Sequence, residues 1–114
     1  MITIYHNSRC KKSREGLKTL EASGEEFEVR EYLKEPLTEN ELSSLLKKLN
    51  FAPIELIRTE EKIWKEEYRD RDLKDEELVR VMVENPKLIQ RPIVEKANSA
   101  VVGRPAENIE KLLN

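Results

Sequence analysis

The sequence predicts an α/β fold in one domain spanning residues 1–114, and three observations carry that expectation. Its first part reads strand, helix, strand; the segment after Pro36 opens on a capping signal and runs into a leucine-lined helix; its last part reads strand, strand, helix. A chain of 114 residues, 38% of them hydrophobic, has the size of a single domain and can enclose one modest core.

Ile2-Thr3-Ile4-Tyr5 is β-branched and aromatic and stops at the polar His6-Asn7-Ser8, so it reads as a short strand entering a loop. Helical character begins after Cys10: Lys11 to Ser23 carries Leu17 and Leu20 on one face and ends at Gly24, a residue suited to a left-handed helix stop. Gly16 weakens that helix slightly. Phe27, Val29, Glu31 and Leu33 alternate with charged residues, which predicts a second strand over Phe27–Leu33. A strand, a helix and a strand in so short a span make a βαβ unit, whose strands run parallel through a right-handed crossover.

Thr38 and Glu41 form a T-x-x-E capping box, and Leu42, Leu45, Leu46 and Leu49 line one face of the helix it starts. A short helical turn at Pro53–Ile57 and a charged stretch with Trp64 and Tyr68 four apart follow, the two aromatics reading as packing residues. Asp75–Glu84 is helical through Leu78, Met82 and either Val81 or Val83 and stops at Asn85-Pro86. Together these helices form an insertion over about residues 38–85. Pro92-Ile93-Val94 and Ala100-Val101-Val102 are strands joined by Glu95–Ser99, where Ala97-Asn98-Ser99 supplies turn residues for a hairpin. Gly103-Arg104-Pro105 opens a last helix carrying Ile109, Leu112 and Leu113. A parallel pair plus a hairpin gives four strands and a mixed sheet.

Composition narrows the function. Charged residues make up 39% of the chain, but 21 Lys plus Arg nearly cancel 23 Asp plus Glu, so there is no global basic field of the kind that binds nucleic acid. Any anion site is local. No stretch approaches the roughly 20 apolar residues that cross a bilayer, and Met1–His6 shows no charged leader before a long apolar run, so the cytoplasm is the expected location. One cysteine forms no internal disulfide and builds no zinc site with more than one thiolate, and with the lone His6 it builds no metal site at all. Whatever Cys10 does, its redox partner comes from outside the chain.

Cys10 sits between a strand end and a helix start, where unpaired amides and the helix dipole favour an anion. Cysteines in such places, beside cations, titrate at roughly 3.5 to 7.5 instead of about 8.5. His6, Arg9, Lys11, Lys12 and Arg14 supply the cations, and a basic polar loop is a poor pocket for a buried hydrophobic cysteine. Ser13, one turn up the helix, either donates to the sulfur or is an ordinary first-turn serine. His6 either orients Cys10, or favours its thiolate when charged, or merely ends the strand. An oxyanion substrate needs planar, permanently charged donors, a role that arginine fills better than lysine. Three arginines stand in unusual settings: Arg58 after Ile54, Leu56 and Ile57, Arg91 before Pro92, and Arg104 within Gly-Arg-Pro. Each taken alone reads as a solvated surface charge, as do Arg9, Arg69, Arg71 and Arg80.

Taken together, these residues resemble the ArsC family of glutaredoxin-dependent arsenate reductases, which is related to the Spx-like proteins. The likeness runs through Ile4-Tyr5-His6-Asn7-Ser8-Arg9-Cys10, Ser13-Arg14, Leu56-Ile57-Arg58, the segment from Glu84 to Val94 with Gln90-Arg91-Pro92, and Gly103-Arg104-Pro105. Lys11-Lys12 replaces the Gly-Thr that commonly follows the nucleophile. The resemblance implies a thioredoxin-like fold with a helical insertion, Cys10 as nucleophile, His6, Ser13 and Arg14 in support of its thiolate, Arg58, Arg91 and Arg104 as oxyanion ligands, and a cis peptide at Pro92. It further implies an enzyme with no bound cofactor that uses glutathione as co-substrate and glutaredoxin as partner. Two other functions fit the same residues: a glutathione-linked thiol reductase with a different substrate, and an Spx-like binding protein. The latter relatives carry Cys-x-x-Cys where this chain has Cys10-Lys11-Lys12-Ser13.

Overall fold

A computed structural model describes all residues 1–114, which divide into two compact units. The first comprises Met1–Pro36 and Arg91–Asn114; the second is Leu37–Gln90, which extends a few residues beyond the expected insertion at its C-terminal end.

The first unit holds strands β1 (Ile2–Tyr5), β2 (Phe27–Arg30), β3 (Ile93–Lys96) and β4 (Ser99–Val102) in one sheet of order β2-β1-β3-β4. β1 pairs parallel to β2 and antiparallel to β3, and β3 pairs antiparallel to β4, so the sheet is mixed. Helix α1 (Lys11–Ser23) makes the crossover between the parallel strands, and its end is set by Gly24, whose φ of 77° is open to glycine at no steric cost. Ile2, Ile4, Leu20, Val94 and Ile109 form the buried core, with Leu17, Phe27, Val101, Leu112 and Leu113 packed against it. Ile109 belongs to the last helix, α5 (Glu107–Leu113).

Gly16 does more than weaken α1. A Cβ on it would lie 2.8 Å from Cγ of Pro92 and 3.1 Å from Cδ1 of Ile109, so its bare backbone lets α1 close on the start of β3 and on α5.

Three boundaries differ from the sequence reading. β2 stops at Arg30 instead of Leu33, because the Glu31 carbonyl accepts from the Lys34 and Glu35 amides, both at 2.9 Å, and turns the chain. The Arg30 guanidinium holds that turn through the carbonyls of Glu35 (3.2 Å) and Pro36 (2.8 Å). The apparent alternation misplaces the core there: Val29 and Leu33 are exposed, and Tyr32 is buried. The hairpin is tighter than expected, since Glu95, Lys96 and Ser99 are all in ladder positions and only Ala97-Asn98 turns, with Ala97 at φ 54°. Charge hid Glu95 and Lys96, and the turn-forming type of Ser99 hid that residue, yet β3 has a backbone partner on either side. The last helix opens at Glu107, after Gly103-Arg104-Pro105.

The second unit holds α2 (Glu39–Leu49), α3 (Pro53–Leu56), a π-helical turn (Trp64–Tyr68), α4 (Asp75–Glu84) and a 3₁₀ turn (Pro86–Leu88). The capping box is formed: the Glu41 amide donates to Thr38 Oγ1 at 3.1 Å and the Thr38 amide to Glu41 Oε1 at 3.0 Å. Leu42, Leu45, Leu46 and Leu49 are buried, as are Leu78, Val79, Val81 and Met82 of α4. Trp64 and Tyr68 stack with ring centroids 6.0 Å apart, as their four-residue spacing suggests.

Candidate active site

The end of β1 positions the nucleophile loop. The His6 amide donates to the Arg30 carbonyl at 2.9 Å and carries the sheet one residue past Tyr5. Asn7 then folds the loop: its Oδ1 accepts from the Arg9 amide and its carbonyl from the Cys10 amide, each at 3.0 Å. Arg14 braces the outside through a 3.0 Å bond from Nη1 to the Ser8 carbonyl.

Cys10 is the N-cap residue of α1, with φ −97° and ψ 124°, and its carbonyl accepts from the Arg14 amide at 3.0 Å. In that conformation the side chain faces the first-turn amides. The sulfur is partly exposed. Burial raises its pKa, but the Ser13 amide, the hydrogen bond and charge of Arg91, and the Lys12 amide together outweigh burial and set the thiol below its ordinary value.

Ser13 is fully buried, and of the two readings open for its hydroxyl the bond to the sulfur is not the one seen. Oγ lies 2.7 Å from His6 Nδ1 and accepts from the Asn7 amide at 3.0 Å, while the Ser13 backbone amide faces the sulfur. Ser13 thus ties strand end, loop and helix together. His6 is also buried; burial lowers its pKa, Glu31 raises it, Arg14 lowers it, a Ser13 hydrogen bond raises it, and the net result lies below the ordinary imidazole value. It is neutral at neutral pH. Of the three readings open for His6, positioning through Ser13 fits this geometry, and attraction of the thiolate by an imidazolium does not.

The arginines fall into different settings. Arg91 reaches the sulfur, precedes a cis peptide to Pro92, and has Nε and Nη1 buried with no hydrogen-bond partner in the protein. The Pro92 carbonyl accepts from the Gly103 amide at 2.7 Å, which joins the start of β3 to the Gly103-Arg104-Pro105 segment. Arg104 is exposed on that segment, which contains a second cis peptide at Pro105. Arg58 belongs to the second unit, where its guanidinium lies within ion-pair distance of Glu60 (Nε, 3.2 Å) and Glu61 (Nη1, 3.1 Å), although the buried Nε–H is not aimed at an acceptor. No group of three or more His, Cys, Asp and Glu side chains is gathered in a way that would hold a metal ion.

Two contributors escaped the sequence reading. Asn7 makes three hydrogen bonds that shape the loop, and the Asn immediately before a nucleophile loop is itself a turn signal. Glu31 acts on His6 from a position 25 residues away, and nothing local announces it.

A cysteine at a helix N-cap thus has an arginine against it and a proline-led strand beside it, and the likeness to known proteins runs along the whole chain. A curated Neisseria meningitidis arsenate reductase is 40% identical over 98% of this chain and 97% of its own length. The Escherichia coli protein YfgD, uncharacterized, is 43% identical over 98% of this chain and 96% of its own. The solved structure of an arsenate reductase from Vibrio cholerae superposes with a TM-score of 0.91 at 38% identity, covering 96% of this chain and 95% of that one. Its architecture, like that of this chain, is the thioredoxin-like fold. The ArsC family model matches residues 5–112, and on the strength of that match and of relatives aligned almost end to end, the chain belongs to the ArsC family.

Proposed function

We propose that this protein is an arsenate reductase, with Cys10 as nucleophile and with glutathione and glutaredoxin as external reductants. One observation carries the reading: a thiol held below its ordinary pKa lies against Arg91, whose Nε and Nη1 are buried without an acceptor in the protein. Buried donors of this kind normally find an acceptor, and an oxyanion brought to the sulfur would offer its oxygens to this guanidinium. The thiolate attacks arsenic, an As–S bond forms, and an arsenate oxygen leaves as water after protonation. Glutathione thiolate then attacks the Cys10 sulfur; the As–S bond breaks, its electron pair reduces As(V) to As(III), and arsenite departs from a Cys10–glutathione disulfide. A glutaredoxin thiolate takes the glutathionyl group and returns Cys10 as thiolate.

In this mechanism the Ser13 and Lys12 amides and Arg91 stabilise Cys10 as attacking and leaving thiolate. His6 and Ser13 hold the loop, Arg14 braces it, and Arg91 and Arg104 supply charge for the oxyanion. A single-thiol enzyme of this kind works in a reducing compartment, the cytoplasm. The test is a coupled assay containing arsenate, glutathione, glutaredoxin and a nicotinamide recycling system. Nicotinamide oxidation that requires arsenate, both thiol components and Cys10 is expected; oxidation that proceeds without arsenate at the same rate sinks the assignment.

A further inference from the structure

A cavity of about 200 Å³ opens beside the nucleophile loop, lined by His6, Asn7 and Arg9 on one side and by Glu31, Leu33 and Lys34 on the other. We propose that it receives the γ-glutamyl end of the co-substrate tripeptide glutathione; this rests on the reading just given, that a glutathione thiol completes the reaction at Cys10. Nothing above assigns this cavity a role.

Position argues first. The loop that walls it leads straight into Cys10, and the Asn7 carbonyl that receives the Cys10 amide at 3.0 Å fixes wall and nucleophile together. Cys10, three residues beyond Asn7, and Arg91 do not line it, so a head group seated here leaves the sulfur and the guanidinium open.

Charge argues second. Arg9 and Lys34 are cations, Glu31 is an anion, and His6 is neutral. A simple oxyanion would meet Glu31 as a repulsive neighbour. A zwitterion suits both signs: its α-ammonium meets Glu31, and its carboxylate meets Lys34 or Arg9.

Size and available bonding argue third. About 200 Å³ fits an amino-acid head and not a whole tripeptide, which leaves the cysteinyl and glycyl parts outside, free to reach Cys10. Leu33 is exposed at the rim and offers the glutamyl methylenes an apolar contact. The Lys34–Glu31 ion pair is long, 3.7 Å, and its lysine is 76% exposed, so a ligand can replace it at little loss. The turn beneath is firm, since the Glu31 carbonyl accepts from both the Lys34 and Glu35 amides.

The test titrates the ¹⁵N-labelled protein with S-methylglutathione, which binds but does not react, and with S-methyl-N-acetylcysteine, which lacks the γ-glutamyl zwitterion. Shifts at the amides of His6–Arg9 and Glu31–Lys34, present with the first probe, absent with the second, and weakened roughly twofold to fivefold in affinity by Lys34→Glu, are expected. In the coupled assay, Lys34→Glu then raises KM for glutathione by the same factor and leaves kcat and KM for arsenate unchanged. Shifts confined to other surfaces, equal response to both probes, or a Lys34→Glu variant with wild-type affinity overturns the proposal. The titration needs no turnover, so a protein that fails to reduce arsenate yet binds S-methylglutathione here refutes the reaction and not the cavity's role.

Discussion

Replacing Arg91 separates function from stability in a way that tests the oxyanion site. Arg91→Met keeps most of the apolar stem and removes the guanidinium. Two effects follow. The thiolate of Cys10 loses its only side-chain partner, so its pKa moves up from the depressed value, although the Ser13 and Lys12 amides still act on it. The substrate loses charge-assisted hydrogen bonds worth about 1.5 to 3 kcal/mol each, so loss of one lowers kcat/KM about tenfold to a hundredfold. Stability moves the other way. Nε and Nη1 are buried without a partner, and leaving such donors unsatisfied costs about 1 to 3 kcal/mol apiece, so removing them does not destabilise the ligand-free protein. The assays are iodoacetamide alkylation against pH, arsenate turnover against concentration, and urea denaturation. Arg91→Lys restores the charge without the planar fork and falls between wild type and Arg91→Met in turnover. A variant with wild-type kcat/KM and an unchanged alkylation profile refutes the reasoning, because Arg91 would then neither hold the thiolate nor meet the substrate.

Ser13→Ala strands the buried His6 Nδ1 and the Asn7 amide, and a loss of about 1 to 3 kcal/mol in urea denaturation is expected; less than about 0.5 kcal/mol would show that the loop does not depend on this hydroxyl. Gly16→Ala gains up to about 1 kcal/mol of helix propensity but forces a methyl against the rigid Pro92 ring, for which overpacking costs about 1 to 3 kcal/mol, so Tm falls; a rise in Tm would mean that α1 shifts freely. His6 titrates below its unfolded value, so the unfolded chain takes up the proton first and stability declines as pH falls from the unfolded imidazole pKa through the folded one. Denaturation midpoints measured from about pH 7 to 5 should show this slope in wild type and a shallower one in His6→Gln; equal slopes would remove the buried neutral His6 from the account.

How much of this was legible in the sequence depended on how local each interaction is. Thr38 and Glu41 form their capping box within one turn, and α4 needs only its own periodicity, so both read directly from the chain. Cys10 at the N-cap of α1 is likewise local, since a strand end, a polar loop and a helix start lie within a few residues. Ser13 was left open between a bond to the sulfur and an ordinary first-turn serine, because the hydroxyl's choice of His6 depends on how β1 meets α1. Gly16 read as a mild helix defect, because Pro92, the atom group it accommodates, is 76 residues away in the chain. The end of β2 was misread because alternation continues through Leu33 while the backbone has already turned at Glu31. Glu60 and Glu61, two and three residues after Arg58, were in plain view as partners for it, and their pairing needed no tertiary information.

In the proposed reaction Cys10 and one glutathione together supply the two electrons that take As(V) to As(III), and Cys10 ends as a disulfide with that glutathione. Incubating the protein with arsenate and glutathione, without glutaredoxin, and then following arsenite and intact mass together tests it most directly. One arsenite released for each protein that gains a single glutathionyl group on Cys10, and neither product in Cys10→Ser, is the expected outcome. Arsenite formed without the adduct, or an adduct formed equally fast in the absence of arsenate, would contradict it.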